Sequence, residues 1–328
     1  MVAWDEPRKF TREVLREEGL DDYETTVVDA VDVEFINKQT VLVDDLEYNI
    51  YDEGVKEFAR LIGLNFGYVN KLPDELFAIT LNYFLRRSED MELMVFSNED
   101  QIVTGVNANG DFRMTFTDVF SMINDACNEK DLLISEYTRD GENHVVTVLG
   151  EPVDSEEGYL YPSLTITLND RLQSSSKHFY GVYRWGPKMV DNHVACETKI
   201  GKNEIVDTVL ERLEEDISNS FLGLKEWFDR NLRGSSQHVF ENPRVFFDKV
   251  LREAKVNKKR DEVLEISEIF DVPLSAFDIA IRISNTASVE AISKSLRKKL
   301  EGIAGYTFSH VAHDRRCKSC LSNLETVE

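Results

Sequence analysis

A chain of 328 residues has length for about two ordinary hydrophobic cores. With 42% hydrophobic and 10% aromatic residues against 16 glycines and 7 prolines, collagenous, low-complexity and wholly disordered classes are excluded. The formal net charge of −23 opposes phosphate binding by bulk electrostatics, but residues 241–328 hold fifteen Lys/Arg against fourteen Asp/Glu, so the acidity belongs to the first 240 residues.

Residues 1–50 are acidic and carry two partly alternating runs, TTVVDAVDVEFI and QTVLVDDLEYNI, which predict strands. From Asp52 the spacing turns helical: Val55, Phe58, Ala59 and Ile62 form one face, and Gly63 stands where a C-cap belongs. A second helix is expected in KLPDELFAITLNYFLRR, with Pro73 in its first turn, Asp74 and Glu75 at the positive end of the helix dipole, and Arg86 and Arg87 at the negative end. Strands follow at ELMVFS and QIVTGVNA, a helix at FTDVFSMINDAC, and a hairpin at LLISEYTRDGENHVVTVLG that turns at Asp140-Gly141. LYPSLTITL and KHFYGVYRW read as two more strands joined by an exposed loop.

Beyond Gly201 the pattern is helical. Val206, Val209, Leu213, Ile217, Phe221, Leu224 and Phe228 recur at intervals of three and four, a stripe that must be covered by the preceding sheet or by a second copy in a homo-oligomer. Gly234-Ser235-Ser236 is expected to end this helix. Shorter helices are expected over Pro243–Ala254, Asp261–Phe270, Pro273–Ser284 and Val289–Ile303, with a tail beyond Gly305. Strands followed by helices predict an α+β fold: a mixed, mainly antiparallel sheet with helices, then a helical C-terminal region and a short zinc-like tail. The expected divisions are acidic strands over 1–50, an α+β core over 51–201, a helical region over 202–305 and the tail over 306–328.

The tail, SHVAHDRRCKSCLSN, places His310, His313, Cys317 and Cys320 within eleven residues. Two thiolates and two imidazoles are a complete tetrahedral set for a structural zinc ion; incidental reduced cysteines and a redox CxxC are the other readings of the same residues. The strand KHFYGVYRWGPK interleaves Phe179, Tyr180, Tyr183 and Trp185 with Lys177, His178, Arg184 and Lys188, the composition of a platform on which bases stack while cations track phosphate. The same composition suits a central strand with its aromatics in the core. Alternation puts His178, Tyr180 and Arg184 on one face, expected toward solvent, and Phe179, Tyr183 and Trp185 on the other, expected inward. The remaining basic runs are KVNKKR, with Lys258, Lys259 and Arg260, and KSLRKK over Lys294–Lys299; each also reads as the solvated face of a helix.

GxSxG, Walker A, GxGxxG and HExxH patterns are absent from the sequence, and Cys127 and Cys196 read as small buried hydrophobes. No stretch reaches the roughly 20 apolar residues of a membrane span, and the N-terminus has no apolar h-region, so a cytoplasmic protein without a membrane partner is expected. EGVKEFARLIGLNFGYVNKLPDELFAITLNYFLRR followed by ELMVFS resembles a phage/plasmid-like family of unknown function, the matching positions being Leu61, Gly63, Tyr68, Leu72, Pro73, Leu76, Asn82 and Leu85. YRWGPKMVDNHVAC is similar to that family's Arg-to-Cys stretch through Arg184 and Cys196, with Glu197-Thr198 where the family has Asn-Gly. The resemblance spans about residues 50–230 and implies a gene of phages and mobile elements, without an activity. Together these features predict a non-enzymatic phage or mobile-element protein that binds or anneals single-stranded nucleic acid, or a structural or host-directed assembly protein.

Overall fold

The computed structural model describes residues 2–9, 24–97, 100–108, 112, 114, 116–129, 132–140, 143–155, 158–172, 174–184, 188–201, 204–256 and 259–314. The chain forms two compact units interleaved in sequence: Arg12–Ser121 with Asp170–Leu172, and Met1–Thr11 with Met122–Asn169 and Gln173–Glu328. Their boundaries therefore differ from the expected divisions at 50, 201 and 305. Strand β1 (Val2–Lys9) belongs to the second, larger unit.

The smaller unit contains β2 (Glu24–Asp29), β3 (Val33–Phe35), β4 (Thr40–Val43), β5 (Leu46–Ile50), helices α1 (Asp52–Leu61), α2 (Phe66–Val69) and α3 (Asp74–Arg86), then β6 (Glu92–Ser97) and β7 (Ile102–Ala108). Its strands lie in the order β2-β6-β7-β5-β4-β3, antiparallel except for a short parallel pairing of β5 with β7. Asp44 and Asp45, both with positive φ, make the β4–β5 turn. Gly63 takes φ +74° just past α1, where the Leu64 N–H reaches the Ala59 carbonyl at 2.7 Å, so the glycine ends the helix as its position predicts. The core is centred on Phe35, whose ring meets Phe58 at 5.2 Å and Phe77 at 5.8 Å, both edge to face. Asn82 on α3 protects the edge strand β3: its Oδ1 accepts from the Phe35 N–H at 2.7 Å and its Nδ2 donates to the Phe35 carbonyl at 2.9 Å.

Because β5 ends at Ile50, β7 keeps β6 on one side but, among the described residues, has no strand on the other side beyond Val103. Side chains take over there. The Val106 N–H donates to Glu57 Oε2 at 2.6 Å, and Arg171, from the three residues that return to this unit, donates to the Val106 carbonyl at 3.0 Å. The guanidinium lies 3.6 Å from the same carboxylate oxygen, and both side chains are mostly buried.

Helix α4 (Phe116–Cys127) is followed by β8 (Leu133–Asp140), β9 (Asn143–Leu149), β10 (Val153–Ser155), β11 (Gly158–Asn169), β12 (Ser176–Tyr183) and β13 (Lys188–Thr198). With β1 these strands of the larger unit form an antiparallel sheet, ordered β1-β8-β9-β11-β12-β13 with β10 on β11. Helix α5 (Val206–Gln237) lies on β11, β12 and β13 and buries Val209, Leu213, Ile217, Leu224 and Phe228, so the sheet, not a second copy, covers the long stripe. The expected break at Gly234-Ser235-Ser236 does not occur. Ser235 points inward, fully buried, and its hydroxyl donates to the Leu232 carbonyl at 3.2 Å, which lets a helix-weak residue remain in the last turn.

A short β14 (Val239–Phe240) leads to α6 (Pro243–Glu253), α7 (Arg260–Ile266), β15 (Leu274–Ser275), α8 (Ala276–Ala287) and α9 (Lys294–Asp314). A capping box starts α8: Ser275 Oγ accepts from the Asp278 N–H at 3.0 Å while Asp278 Oδ2 accepts from the Ser275 N–H at 3.3 Å. Helix α9 continues past the expected stop, because Ala304, Gly305, Thr307 and Phe308 are buried and Phe308 packs on Trp227 and Phe228 of α5. The fold is α+β, as the order of elements predicts. Among the described residues no helix is long and apolar enough to cross a membrane.

Candidate nucleic-acid interface

Strand β12 is central, with β11 and β13 on its two sides, and its even-numbered residues face α5. Ser176, His178 and Tyr180 are thereby turned into a polar inlay within the helix–sheet contact. His178 Nδ1 is 2.8 Å from Ser220 Oγ and its Nε2 is 3.3 Å from Ser176 Oγ; the ring is fully buried. Tyr180 donates its hydroxyl to the Ser220 carbonyl at 3.0 Å and lies against the Trp227 ring at 5.2 Å. Thr198 on β13 donates to Asp216 on α5.

The expectation that His178 and Tyr180 line a solvent-facing platform is therefore corrected. A helix forty residues downstream covers the face on which they lie, leaving His178 buried and Tyr180 half-buried, and Phe179 on the opposite face is half-buried too. Tyr183, expected inward, is buried. Trp185 and Lys258 lie outside the described residues.

Burial pushes the His178 pKa down to about 4, with Asp216 opposing, and raises those of Tyr180 and Cys196. This is a neutral imidazole between hydroxyls, and Cys196 is not activated as a thiolate. Cys127 is further from reactivity, its thiol pushed up to about 12 by burial and then by Glu129. With His178 and Ser220 sealed between helix and sheet, the Ser–His contacts serve packing.

An unfolded histidine protonates near its ordinary 6.5 while folded His178 waits until about 4, so the unfolded chain binds the extra proton between these values. The stability that this site contributes is complete above pH 6.5 and falls as pH drops toward 4, by up to about 3 kcal/mol. Urea unfolding at neutral pH and near pH 4.5 measures the loss. His178→Gln should show a smaller loss than wild type, and equal losses in the two proteins would refute the assignment.

The other cations of the basic runs divide into two groups. Lys259 pairs with Glu262 at 3.6 Å, and Arg260 with Asp248 at 3.2 Å and Asp261 at 3.1 Å, so carboxylates neutralise that run. Arg184 and Lys188 lie at a different place in the fold. Arg184, at the end of β12, donates to Asn285 Oδ1 on α8 at 3.2 Å, and two residues on, the Ala287 carbonyl accepts from Arg297 Nε on α9 at 2.9 Å. Lys188 forms an ion pair with Glu136 of β8. Lys188 also acts on Glu301: burial raises that carboxyl's pKa, and Lys188, Arg297 and Lys298 oppose the rise while Glu136 adds to it. Four cations from segments more than a hundred residues apart thus share one corner of the larger unit with Glu136 and Glu301. The run Lys294–Lys299 alone did not show this, because its partners come from the β12–β13 turn.

A second concavity, about 530 Å³, lies between α5 and the ends of β8, β9 and β11. Its walls include Leu133, Leu149, Pro162, Phe221 and Leu224, and among the described residues its rim carries Glu129, Glu151 and Asp229 with one cation, Lys225, 3.9 Å from Glu151. An apolar cleft rimmed by carboxylates repels phosphate, which leaves the basic corner as the candidate surface.

The expected zinc ligands fall at the margin. His310 and His313 are within α9, three residues apart on the helix backbone, while their side chains and all of Cys317 and Cys320 lie outside the described residues. Among the described residues no group of three or more His, Cys, Asp or Glu side chains is placed to hold a metal ion. Compared with family models, with curated proteins and with solved structures, the chain matches none.

Proposed function

We propose that this chain is a non-enzymatic protein of the phage and mobile-element class that handles single-stranded nucleic acid, as a binding or annealing accessory factor, through Arg184, Lys188, Arg297 and Lys298. The observation supporting this reading is the convergence of those four side chains from β12, β13 and α9 around Asn285, Ala287 and Glu301. Range decides against the objection from total charge. At physiological salt, charges are screened beyond about 8 Å, so a strand at this corner responds to the local cations more than to the acidic first 240 residues.

Anisotropy of a fluorescein-labelled oligodeoxythymidylate, titrated across salt concentrations, tests the proposal. Four cations engaging phosphates give a slope of log K against log salt of about −3 for single strands, and Arg297→Glu with Lys298→Glu should reduce it to about −1.5. Lys259→Glu with Arg260→Glu, already among carboxylates, should leave both affinity and slope unchanged. Absence of binding at low salt, or equal losses in the two double variants, would exclude this surface. A role in assembly is the second reading, and an exposed apolar stripe on α3 favours it.

A further inference from the structure

Helix α3 is apolar on two opposite faces. Phe77, Ala78, Leu81 and Leu85 are buried in the core of the smaller unit, as an amphipathic helix requires. On the other side, Leu76, Ile79 and Tyr83 are 51%, 64% and 55% exposed. At 3.6 residues per turn these three fall within about 60° of one another, a continuous stripe pointing away from the core. Isolated exposed hydrophobics are ordinary, but a helix with a second, continuous apolar face has a second surface to bury.

The charges flanking the stripe say what covers it. Exposed Glu75 precedes it and exposed Arg86 follows it. They are eleven residues apart, about three full turns, and therefore share one flank of the helix. The helix is acid at its start and basic at its end, which makes it complementary to itself reversed. Lys38 lies 3.9 Å from Asp74 and takes up that carboxylate, while Arg87 is held on Tyr83, donating to its hydroxyl at 3.1 Å. Glu75 and Arg86 are left as the pair that sets direction.

We infer that α3 is a homodimer interface in which two copies pack antiparallel about a two-fold axis near Thr80. In that arrangement Ile79 meets the region of its own mate, Leu76 meets the Tyr83 side, and Glu75 of each copy faces Arg86 of the other, giving two equivalent ion pairs. An isologous contact needs such self-complementarity. One helix per copy is a small interface, so the dimer dissociates on dilution.

Sedimentation velocity of the full chain over a concentration series tests this, with melting temperature as the folding control. Wild type should shift from monomer to dimer with concentration. Ile79→Glu, at a solvent-facing position, should keep the melting temperature and weaken association roughly a hundredfold, because two apolar side chains per dimer become charged. Glu75→Arg alone and Arg86→Glu alone should each be mainly monomeric through repulsion between like charges. Mixed together they should dimerise again, since one copy then offers two arginines and the other two glutamates. A wild type that stays monomeric at every concentration assigns the stripe to another partner and overturns the proposal, as does a dimer unaffected by Ile79→Glu. Failure of the mixture to dimerise overturns the antiparallel register.

Discussion

Glu57→Ala should destabilise the smaller unit by about 3–5 kcal/mol, the usual cost of removing one member of a buried ion pair. The carboxylate has two roles in this structure. It accepts the Val106 N–H at 2.6 Å, replacing the strand that β7 lacks beyond the end of β5, and it is the counter-charge for Arg171, whose side chain is 3% exposed. Alanine removes both, leaving the Val106 N–H without its carboxylate acceptor and the buried guanidinium without this counter-charge. Glu57→Gln should cost less, since an amide oxygen can still accept from Val106. Combining Glu57→Gln with Arg171→Met removes both charges and should be no worse than Glu57→Ala. The measurement is urea unfolding by far-UV circular dichroism together with hydrogen exchange at the Val106 amide. A Glu57→Ala protein within about 1 kcal/mol of wild type would mean that the pair is peripheral to stability.

What the sequence reveals depends on how local the cause is. The first helices and the strands around them follow from periodicity and from Gly63, whose positive φ is a requirement confined to one turn. β13 was not expected because KMVDNHVACET does not alternate cleanly: Asp191 is buried, Val194 is exposed, and the pairing with β12 shifts register near His178 and Phe179. Without β13, the strand KHFYGVYRW reads as one at a sheet edge. Period two does not say which face a helix will cover: His178 is held inward by Ser220 of α5, and Ser220 and Asp216 are polar residues whose only sign in the sequence is their four-residue spacing beside the apolar stripe. The return of Asp170–Leu172 to the smaller unit is equally invisible, since three residues carry no pattern. The basic corner needed tertiary structure as well. Neither Arg184 with Lys188 nor Lys294–Lys299 is distinctive until α8 and α9 bring them to the same place.

Gly305 is the clearest case of one residue read in the wrong sense, and its replacement should have an effect as large as that of Glu57. A glycine late in a helical pattern suggests a terminator. Here it lies inside α9 with φ in the ordinary helical range, so its value is not conformational freedom. It is the absence of a side chain. α9 crosses β13 so closely that a Cβ at this position would fall well inside van der Waals contact with the Val190 carbonyl and 2.7 Å from the Asp191 nitrogen. These are backbone atoms in a paired strand and cannot rotate away. Gly305→Ala must therefore push α9 off β13, disturbing Ala304 and Phe308 and, through Phe308, the contact with Trp227 and Phe228. The helix propensity of alanine favours the variant by about 1 kcal/mol, but overpacking against rigid backbone costs about 3 kcal/mol or more, so destabilisation wins. The wild-type protein provides the comparison. Thermal unfolding followed by tryptophan fluorescence separates the two, because Trp227 sits against Phe308 and reports the displacement directly. Equal melting temperatures for Gly305→Ala and wild type would show that α9 does not need its close approach to β13.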